Sequence, residues 1–366
     1  MKKILSILSI LPCIAMAELV PTDGVISSDF VQSGNQTGTN AIANQLNIAS
    51  GAELLVTGDL EIANDTNPVN NLGYILVSEG ASFTINSPNT APSQNKGWSS
   101  NMGNLVVSGK LYSIVGNVYG LHLASTTSKA LTDITLESTG LIHLTNGRLG
   151  FNNYYTKITL NASVSKNDKN EWQTGLITNV IQQSRGAYGR YAITINAKDA
   201  FCKDDGSVTD VTMWTGSNLT LDFSNADGMT DLGTVYFRDG TALNVIMSAT
   251  PDTFTINKLS RYAANDGALS ATLAFENFAN NLVKINDFDE TRLTDDGIYT
   301  FEAGTDTITI TITATNGDIS SANGEWYVAN GFLNNTAFGA NVPEPAEWAM
   351  ILGSLALGLA IYKRRK

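Results

Sequence analysis

Cysteine, histidine and charged residues are all scarce in this chain of 366 residues. It has two cysteines and two histidines, and Asp, Glu, Lys and Arg together make up 15% of the sequence. Cys13 lies in the N-terminal apolar run, so Cys202 is the only cysteine of a processed chain and an intramolecular disulfide is excluded. No G-x-S-x-G, phosphate-binding glycine loop, H-E-x-x-H or paired C-x-x-C motif occurs, so the common signatures of hydrolases, nucleotide-binding proteins and zinc sites are missing.

Basic residues are also few, with 22 Lys and Arg against 34 Asp and Glu. Without the six basic residues near the two ends, and without Glu344 and Glu347, the body has a net charge of −16 from 16 basic and 32 acidic residues. Such a surface repels nucleic acid, which is therefore excluded as a partner. Glycine (32 residues) and asparagine are abundant, and both tolerate the positive φ angles of tight turns. This composition is typical of an exposed all-β protein.

The N-terminus has the three parts of an export signal. Lys2 and Lys3 form a basic region, residues 4–14 form an apolar run, and Ala15-Met16-Ala17 is an A-x-A cleavage site. We predict a signal peptide at 1–17 with cleavage after Ala17. A retained signal anchor is the alternative.

The C-terminus has a second targeting pattern. Residues 348–362 are 15 uncharged residues, a helix of about 22 Å, against about 30 Å for a bilayer core. Trp348 and Tyr362 lie at its ends, where aromatic side chains favour the membrane interface. The basic cluster Lys363, Arg364, Arg365 and Lys366 is expected on the cytoplasmic side. Pro343 and Pro345 keep the preceding segment extended and accessible to a processing enzyme.

This tail resembles the PEP-CTERM sorting signal of Gram-negative bacteria. The resemblance covers 341–366 and rests on Pro343-Glu344-Pro345, the short apolar helix and the basic end. It implies recognition of Pro343, Glu344 and Pro345 by a membrane exosortase, a transient stay in the inner membrane, and release of the body to the cell envelope or beyond. A plain C-terminal membrane anchor is the alternative.

The body contains a glycine-centred repeat. The stretches LNIASGAELLVTG, ILVSEGASFTINS and NLVVSGKLYSIVG place Gly51, Gly80 and Gly109 at equal steps, with an apolar residue three positions before and three positions after each glycine. Looser copies are centred on Gly140 and Gly175. Two better copies are centred on Gly216 and Gly240, and both keep the frame, with Met213/Leu219 and Phe237/Leu243 as the flanking apolar residues. Each copy is interpreted as strand, glycine turn, strand.

Units of this size cannot bury an apolar face alone, but stacked copies can. The repeat therefore predicts an all-β fold with a parallel β-solenoid body at 18–278, with Asn side chains stacked between coils. A β-sandwich is the alternative, because its short strands also recur at regular intervals along the chain. The insertions at 161–173 and 196–211 are expected to loop out from one face.

From residue 279 the strands become longer, and 307–313 alternates Thr and Ile strictly. We interpret 279–340 as a C-terminal β cap, which prevents the open end of a solenoid from polymerising. The body also resembles, in style more than in motif, the passenger regions of autotransporter-like surface proteins.

Candidate residues for chemistry are sparse. His122 and His143 both alternate with leucines and are interpreted as ordinary strand residues, with stacking in adjacent coils as a possibility. Cys202 is interpreted as a small packed residue. No metal site or cofactor is expected, although two acidic clusters, Asp204/Asp205/Asp210 and Asp287/Asp289/Glu290, leave a weak possibility of Ca²⁺.

The predicted function is that of an exported, non-catalytic surface or extracellular-matrix protein, structural or adhesive, with no catalytic residues. Extracellular polysaccharide is a possible partner, and Trp98, Trp172 and Trp214 are candidates for stacking on sugar rings. The alternative is a β-helix polysaccharide lyase or glycosidase. No two acids share a repeat offset within strands, and Arg148, Arg185, Arg190 and Arg238 are scattered, so we expect no enzyme.

Overall fold

The structure is a computed structural model that describes residues 25–26, 30–33, 36–38, 45–49, 53–57, 60–62, 74–87, 98–100, 104–115, 121–123, 132–145, 147–151, 156–183, 190–262 and 267–339. The predicted signal peptide, the predicted sorting tail and the membrane helix predicted within it lie outside these residues. The described part is all-β, with three short 3₁₀ helices at Glu290–Arg292, Ser321–Asn323 and Thr336–Gly339. None of its helices has the length and apolar character needed to cross a membrane.

The strands, numbered β1 to β33 along the chain, form three sheets, here called A, B and C. Sheet A contains β1 (Val25–Ile26), β4 (Gln45–Ile48), β7 (Tyr74–Val77), β10 (Asn104–Val107), β13 (Thr132–Leu136), β16 (Thr156–Leu160), β20 (Arg190–Ile195), β23 (Asn218–Asp222), β25 (Thr241–Ile246), β27 (Leu269–Glu276), β30 (Asp306–Asn316), β29 (Ile298–Ala303) and β31 (Ile319–Ser320). Sheet B contains β2 (Phe30–Ser33), β5 (Glu53–Thr57), β8 (Ser82–Ser87), β11 (Lys110–Val115), β14 (Leu141–Thr145), β18 (Trp172–Ile177), β17 (Ser165–Lys166) and β21 (Phe201–Cys202). Sheet C contains β3 (Gln36–Gly38), β6 (Leu60–Ile62), β9 (Trp98–Ser100), β12 (Leu121–Leu123), β15 (Arg148–Phe151), β19 (Val180–Gln183), β22 (Asp210–Met213), β24 (Leu232–Phe237), β26 (Phe254–Arg261), β28 (Val283–Asp287), β33 (Phe332–Asn335) and β32 (Trp326–Ala329).

Most neighbouring strands pair in parallel, and in the first part of the chain each sheet takes one strand from each successive pass. We call one such pass a coil. The prediction of an all-β chain with parallel strands is confirmed. Parallel pairing favours the β-solenoid over the β-sandwich, whose sheets are antiparallel.

The core lies between the sheets and is built from columns of apolar side chains that stack from coil to coil. Strand alternation sends every second side chain inward, and parallel register places each inward residue beside its counterpart in the next coil. One column in sheet A has six members, each at most 1% exposed: Ile48, Val77, Val107, Leu136, Leu160 and Ile195. The expected Asn stacking also occurs, since Asn196 Nδ2 donates to Asn161 Oδ1 at 2.7 Å.

The predicted glycine turns are confirmed at Gly80, Gly109 and Gly140, each of which separates a strand of sheet A from a strand of sheet B. The frame of the third copy is wrong by one residue. Val107, rather than Val106, pairs with Val77 in sheet A, and Leu111, rather than Tyr112, pairs with Phe83 in sheet B. The reason is a shorter corner, in which two residues (108–109) replace four (78–81).

Of the other described copies, those at Gly216 and Gly240 agree with the strand–turn–strand prediction, and the one at Gly175 does not. Gly216 and Gly240 do lie in turns, but these turns connect sheet C to sheet A. Gly175, a predicted turn, lies inside β18, so this assignment is wrong. Its φ of +96° is the left-handed backbone conformation that a loop usually requires, which explains the mistaken signal.

Sheet B ends at β21 within the described residues, and the later coils use sheets A and C only. In the first of these coils, residues 223–231 connect the two sheets without a strand, and Phe223, Ala226 and Met229 fill the corner with buried side chains. The loss of one strand shortens the repeat, so that the step from Leu221 to its partner Val245 is smaller than the step from Val77 to Val107. This accounts for the drift of the glycine spacing.

Pairing becomes antiparallel towards the C-terminal end of the described chain. β29 and β31 pair antiparallel with β30, and β33 pairs antiparallel with both β28 and β32. The alternation predicted for 307–313 is confirmed, since Ile308, Ile310 and Ile312 are buried in β30 and the intervening threonines point outward.

Candidate functional site

The outer face of sheet B carries a column of unusual side chains. Each residue of the column pairs with the next in the parallel register, and all five point away from the core: Thr84, Tyr112, His143, Ile177 and Cys202. The outer face of a sheet is normally polar and exposed to solvent. A phenol ring, an imidazole and two apolar side chains on successive strands would therefore be stabilised by a segment that covers them. The two insertions provide it.

The first insertion forms a hairpin over this face. Ser165–Lys166 (β17) pairs antiparallel with the start of β18, and the Ser165 and Thr174 hydroxyls are 2.6 Å apart. The turn is closed by Asn167, whose side-chain oxygen accepts hydrogen bonds from the backbone N–H groups of Lys169 and Glu171, both at 3.0 Å. Gly175 is needed where the hairpin meets the sheet, because a Cβ there would lie 2.6 Å from a Val164 methyl group.

The second insertion contributes β21 and a tight turn at 203–207. The backbone N–H of Lys203 donates to the Ser207 carbonyl at 2.7 Å, and Gly206 has the positive φ (+84°) that the turn requires. Asp205 accepts from both the N–H and the hydroxyl of Ser207, and these hydrogen bonds lower the pKa of its carboxyl. The turn therefore presents the neighbouring Asp204 in a fixed position.

A small apolar cluster, separate from the main core, lies beneath the hairpin. Leu141, Ile177 and Cys202 are buried there, with Val164 and Trp172 packed against them. Burial raises the pKa of the Cys202 thiol to about 11, despite the opposing charge of a nearby lysine. Cys202 is thus a protonated packing residue, in agreement with the interpretation of its sequence context.

Beside this cluster lies an open groove of about 550 Å³. Its lining comes from sheet B, the hairpin and the turn: Lys110, Tyr112, His143, Lys166, Asn170, Glu171, Trp172, Gln173 and Asp204. The rings of Tyr112 and His143 lie on adjacent strands with centroids 6.0 Å apart and form the floor. Burial raises the pKa of the Tyr112 hydroxyl, and the charges of Glu171 and Glu53 add to the effect.

One wall of the groove is held by two contacts to Asp204. His143 Nε2 lies 2.8 Å from Asp204 Oδ1, and the Trp172 indole N–H donates to the Asp204 backbone carbonyl at 3.3 Å. One face of the Trp172 ring is covered by Lys166, whose Nζ is 4.0 Å from the ring centroid. Lys110 Nζ donates to Gln173 Oε1 at 3.1 Å and so ties the sheet to the hairpin.

The histidines and tryptophans selected from the sequence lie in different parts of the structure. His143 lines the groove, but His122 lies in sheet C, so stacking of the two histidines in adjacent coils is wrong. Trp172 forms a groove wall. Trp214 is covered by the Arg238 guanidinium, 3.7 Å from its ring centroid, and lies away from the groove. The side chain of Trp98 falls outside the described part of the chain.

Most side chains of the two acidic clusters make internal contacts. Asp210 bonds Lys203 at 3.0 Å, Asp287 bonds Lys258 at 2.6 Å, and Asp289 accepts from Thr291 and Arg292 in the first 3₁₀ helix. Among the described residues, no group of three His, Cys, Asp or Glu side chains is placed to hold a metal ion.

Sequence reasoning did not identify Tyr112, Glu171 or Lys110 as site residues. The signal that points to them is the outward position of His143 in LIHLTN, in the strand of sheet B that pairs with β18, where the first insertion ends. Arg148, one of the four arginines considered for catalysis, lies on sheet C, where its guanidinium donates a hydrogen bond to Gln182 Oε1 at 2.7 Å. No protein-family model and no curated protein matches this chain.

Proposed function

We propose that this protein is an exported, non-catalytic surface or extracellular-matrix protein, sorted by its PEP-CTERM tail and adhesive through the outer face of sheet B. In this proposal the body is a parallel β-solenoid, residues 279–340 are its cap, and residues 348–362 form the membrane helix. The sorted body leaves the inner membrane for the cell envelope or the medium.

The observation that carries the adhesive role is the groove on sheet B. Its two insertions interrupt the repeat, yet they converge on one face and order a mixed aromatic and polar surface. A solenoid that served only as a spacer would need no such addition, since each coil is already closed by its neighbours. The acidic body favours solubility and weak, repeated contacts over binding to nucleic acid.

The sorting part is tested by intact-mass measurement of the protein recovered from the envelope and from the medium. We expect a species that begins at Glu18 and lacks the helix after Pro345. Glu344→Ala should leave the tail attached and the protein in membranes, while Glu347→Ala, a matched change just outside the motif, should be processed as wild type. A wild-type species that ends at Lys366 and occurs only in membranes would refute sorting and leave a simple anchor.

A second candidate function is that of a β-helix glycosidase. One observation favours it: Glu171 and Asp204, from separate insertions, line the same groove, and glycosidases use a pair of carboxylates. Incubation with polysaccharides and assay of reducing ends tests it. Activity that disappears in both Glu171→Gln and Asp204→Asn would establish the enzyme; no release of sugar from any polymer supports the adhesive role.

A further inference from the structure

We infer that the groove on sheet B is a binding site for a short, uncharged saccharide. The inference rests on the proposed adhesive role and specifies its ligand. It is argued from the shape of the groove, the polar atoms left over in its lining, and its charge.

The floor and wall suit the two surfaces of a sugar ring. A saccharide has apolar C–H faces and a polar rim of hydroxyls, and proteins meet the faces with aromatic side chains. The Tyr112 ring lies on the floor of the groove and is only partly buried, whereas the Trp172 ring is already covered by Lys166. Tyr112 is therefore the platform, and Trp172 is a wall.

The lining also keeps polar atoms available for hydroxyl groups. Asp204 uses Oδ1 for His143, and Glu171 uses Oε2 for Asn167 at 2.8 Å. Within the described part of the chain, Asp204 Oδ2 and Glu171 Oε1 accept no hydrogen bond. Lys110 donates one of its three ammonium N–H groups to Gln173, so two remain available. Two acceptors and several donors therefore remain around an aromatic floor, which is the pattern of a small-molecule site.

The charge of the groove favours an uncharged ligand. Lys110 and Lys166 balance Glu171 and Asp204, so the lining has no net formal charge when His143 is neutral. The surrounding body carries −16. A uronate polymer would gain no net attraction in the groove and would be repelled by the rest of the surface. An uncharged saccharide avoids this cost.

The groove is ordered before any ligand arrives. Asp204 is fixed through its side chain by His143 and through its carbonyl by Trp172, and Lys110 ties the hairpin to the sheet. Binding thus requires little ordering of loops, which makes a small site useful at modest affinity.

The test uses the whole chain in a polyoxyethylene detergent, since sugar-based detergents would compete for the site. Isothermal titration compares four uncharged hexasaccharides (of cellulose, laminarin, mannan and chitin) with hexagalacturonate and hexamannuronate. We expect at least one uncharged probe to bind at least tenfold more tightly than either anionic probe at low salt. Added salt should narrow this difference, because it screens the repulsion.

Variants locate the binding. Tyr112→Ala should weaken the best probe at least tenfold. Glu171→Ala, at an exposed position of the hairpin, should weaken it several-fold without unfolding the chain. Asp168→Ala removes a carboxylate from the same hairpin turn outside the groove and should bind as wild type, with the circular dichroism spectrum of each variant as the check on folding.

Three results would overturn the inference: no binding to any uncharged probe, tighter binding of a uronate, or binding that Tyr112→Ala and Glu171→Ala leave unchanged. These outcomes are separate from the fate of the proposed function. If the tail is processed but the groove binds no saccharide, the protein is a matrix scaffold without this ligand. If the groove binds a saccharide but the tail is not processed, the protein is membrane-anchored and carries a saccharide site.

Discussion

The aromatic column at the C-terminal end of the core provides a quantitative test of the stacked architecture. Phe254 is fully buried, and its ring centroid lies 6.2 Å from that of Phe223 and 6.5 Å from that of Phe275, in coils on either side. Phe254→Ala removes a buried ring, which costs about 3–5 kcal/mol in protein cores. Two aromatic contacts, each worth about 0.5–1.5 kcal/mol beyond buried area, place the expected loss at the upper end of that range.

Urea unfolding followed by circular dichroism measures this loss, and hydrogen exchange locates it. Because each coil contacts only its neighbours, we expect faster exchange mainly in β23, β26 and β27. Phe254→Leu, which keeps much of the apolar volume, should cost less than about 2 kcal/mol. Tyr327→Ala, at a residue that is 43% exposed, should stay within about 0.5 kcal/mol of wild type. A loss below about 1 kcal/mol for Phe254→Ala, or one spread evenly over the chain, would refute the stacked core.

Three further predictions concern buried polar groups. The pKa of Cys202, raised from 9.0 to about 11, lowers the thiolate fraction at pH 8 about 100-fold. Alkylation of Cys202 in the folded protein should therefore be at least that much slower than alkylation of an exposed thiol, and unfolding in urea should restore the faster rate. Burial raises the pKa of Asp231, although the hydrogen bond from the Thr255 N–H acts in the opposite direction. The contribution of this carboxyl to stability is therefore complete at low pH and is lost as the pH rises through the folded pKa. Asp231→Asn should raise the melting temperature at pH 7, and an equal rise at pH 3 would contradict the argument. Gln183 is fully buried, and neither polar atom of its side chain has a hydrogen-bond partner in the described structure. Gln183→Met should therefore stabilise the protein by about 1–3 kcal/mol in urea unfolding. No gain in stability would mean that a bound water satisfies the amide.

The sequence was sufficient for the fold class because period-two alternation and a regular glycine spacing are local signals. Register was harder to predict. The third copy keeps the glycine step of the first two, although sheet A advances one position more than that step, from Val77 to Val107, and sheet B advances one position less, from Phe83 to Leu111. A corner that loses two residues around Gly109 leaves the spacing of the glycines intact, so spacing alone cannot reveal the shift.

The change of corner at Gly216 and Gly240 was hidden for a related reason. A strand, a glycine turn and a strand give the same pattern whichever two sheets they connect. Which sheets are joined depends on the coil as a whole, and the loss of sheet B after β21 depends on Phe223 and Met229 filling a corner without a strand. Neither residue differs in local pattern from a strand residue.

The amino-acid sequence by itself determined the all-β class, the parallel repeat and the inward side chains, since each depends on residues close together in the chain, and the two proposed targeting signals rest on the sequence alone. Only the tertiary structure decided the groove, because Lys110, Tyr112, His143, Glu171 and Asp204 come from four coils. Parallel stacking brings residues far apart in the sequence to neighbouring strands about 4.8 Å away. The two insertions then converge on the same face, and that convergence has no signature in any single stretch of sequence.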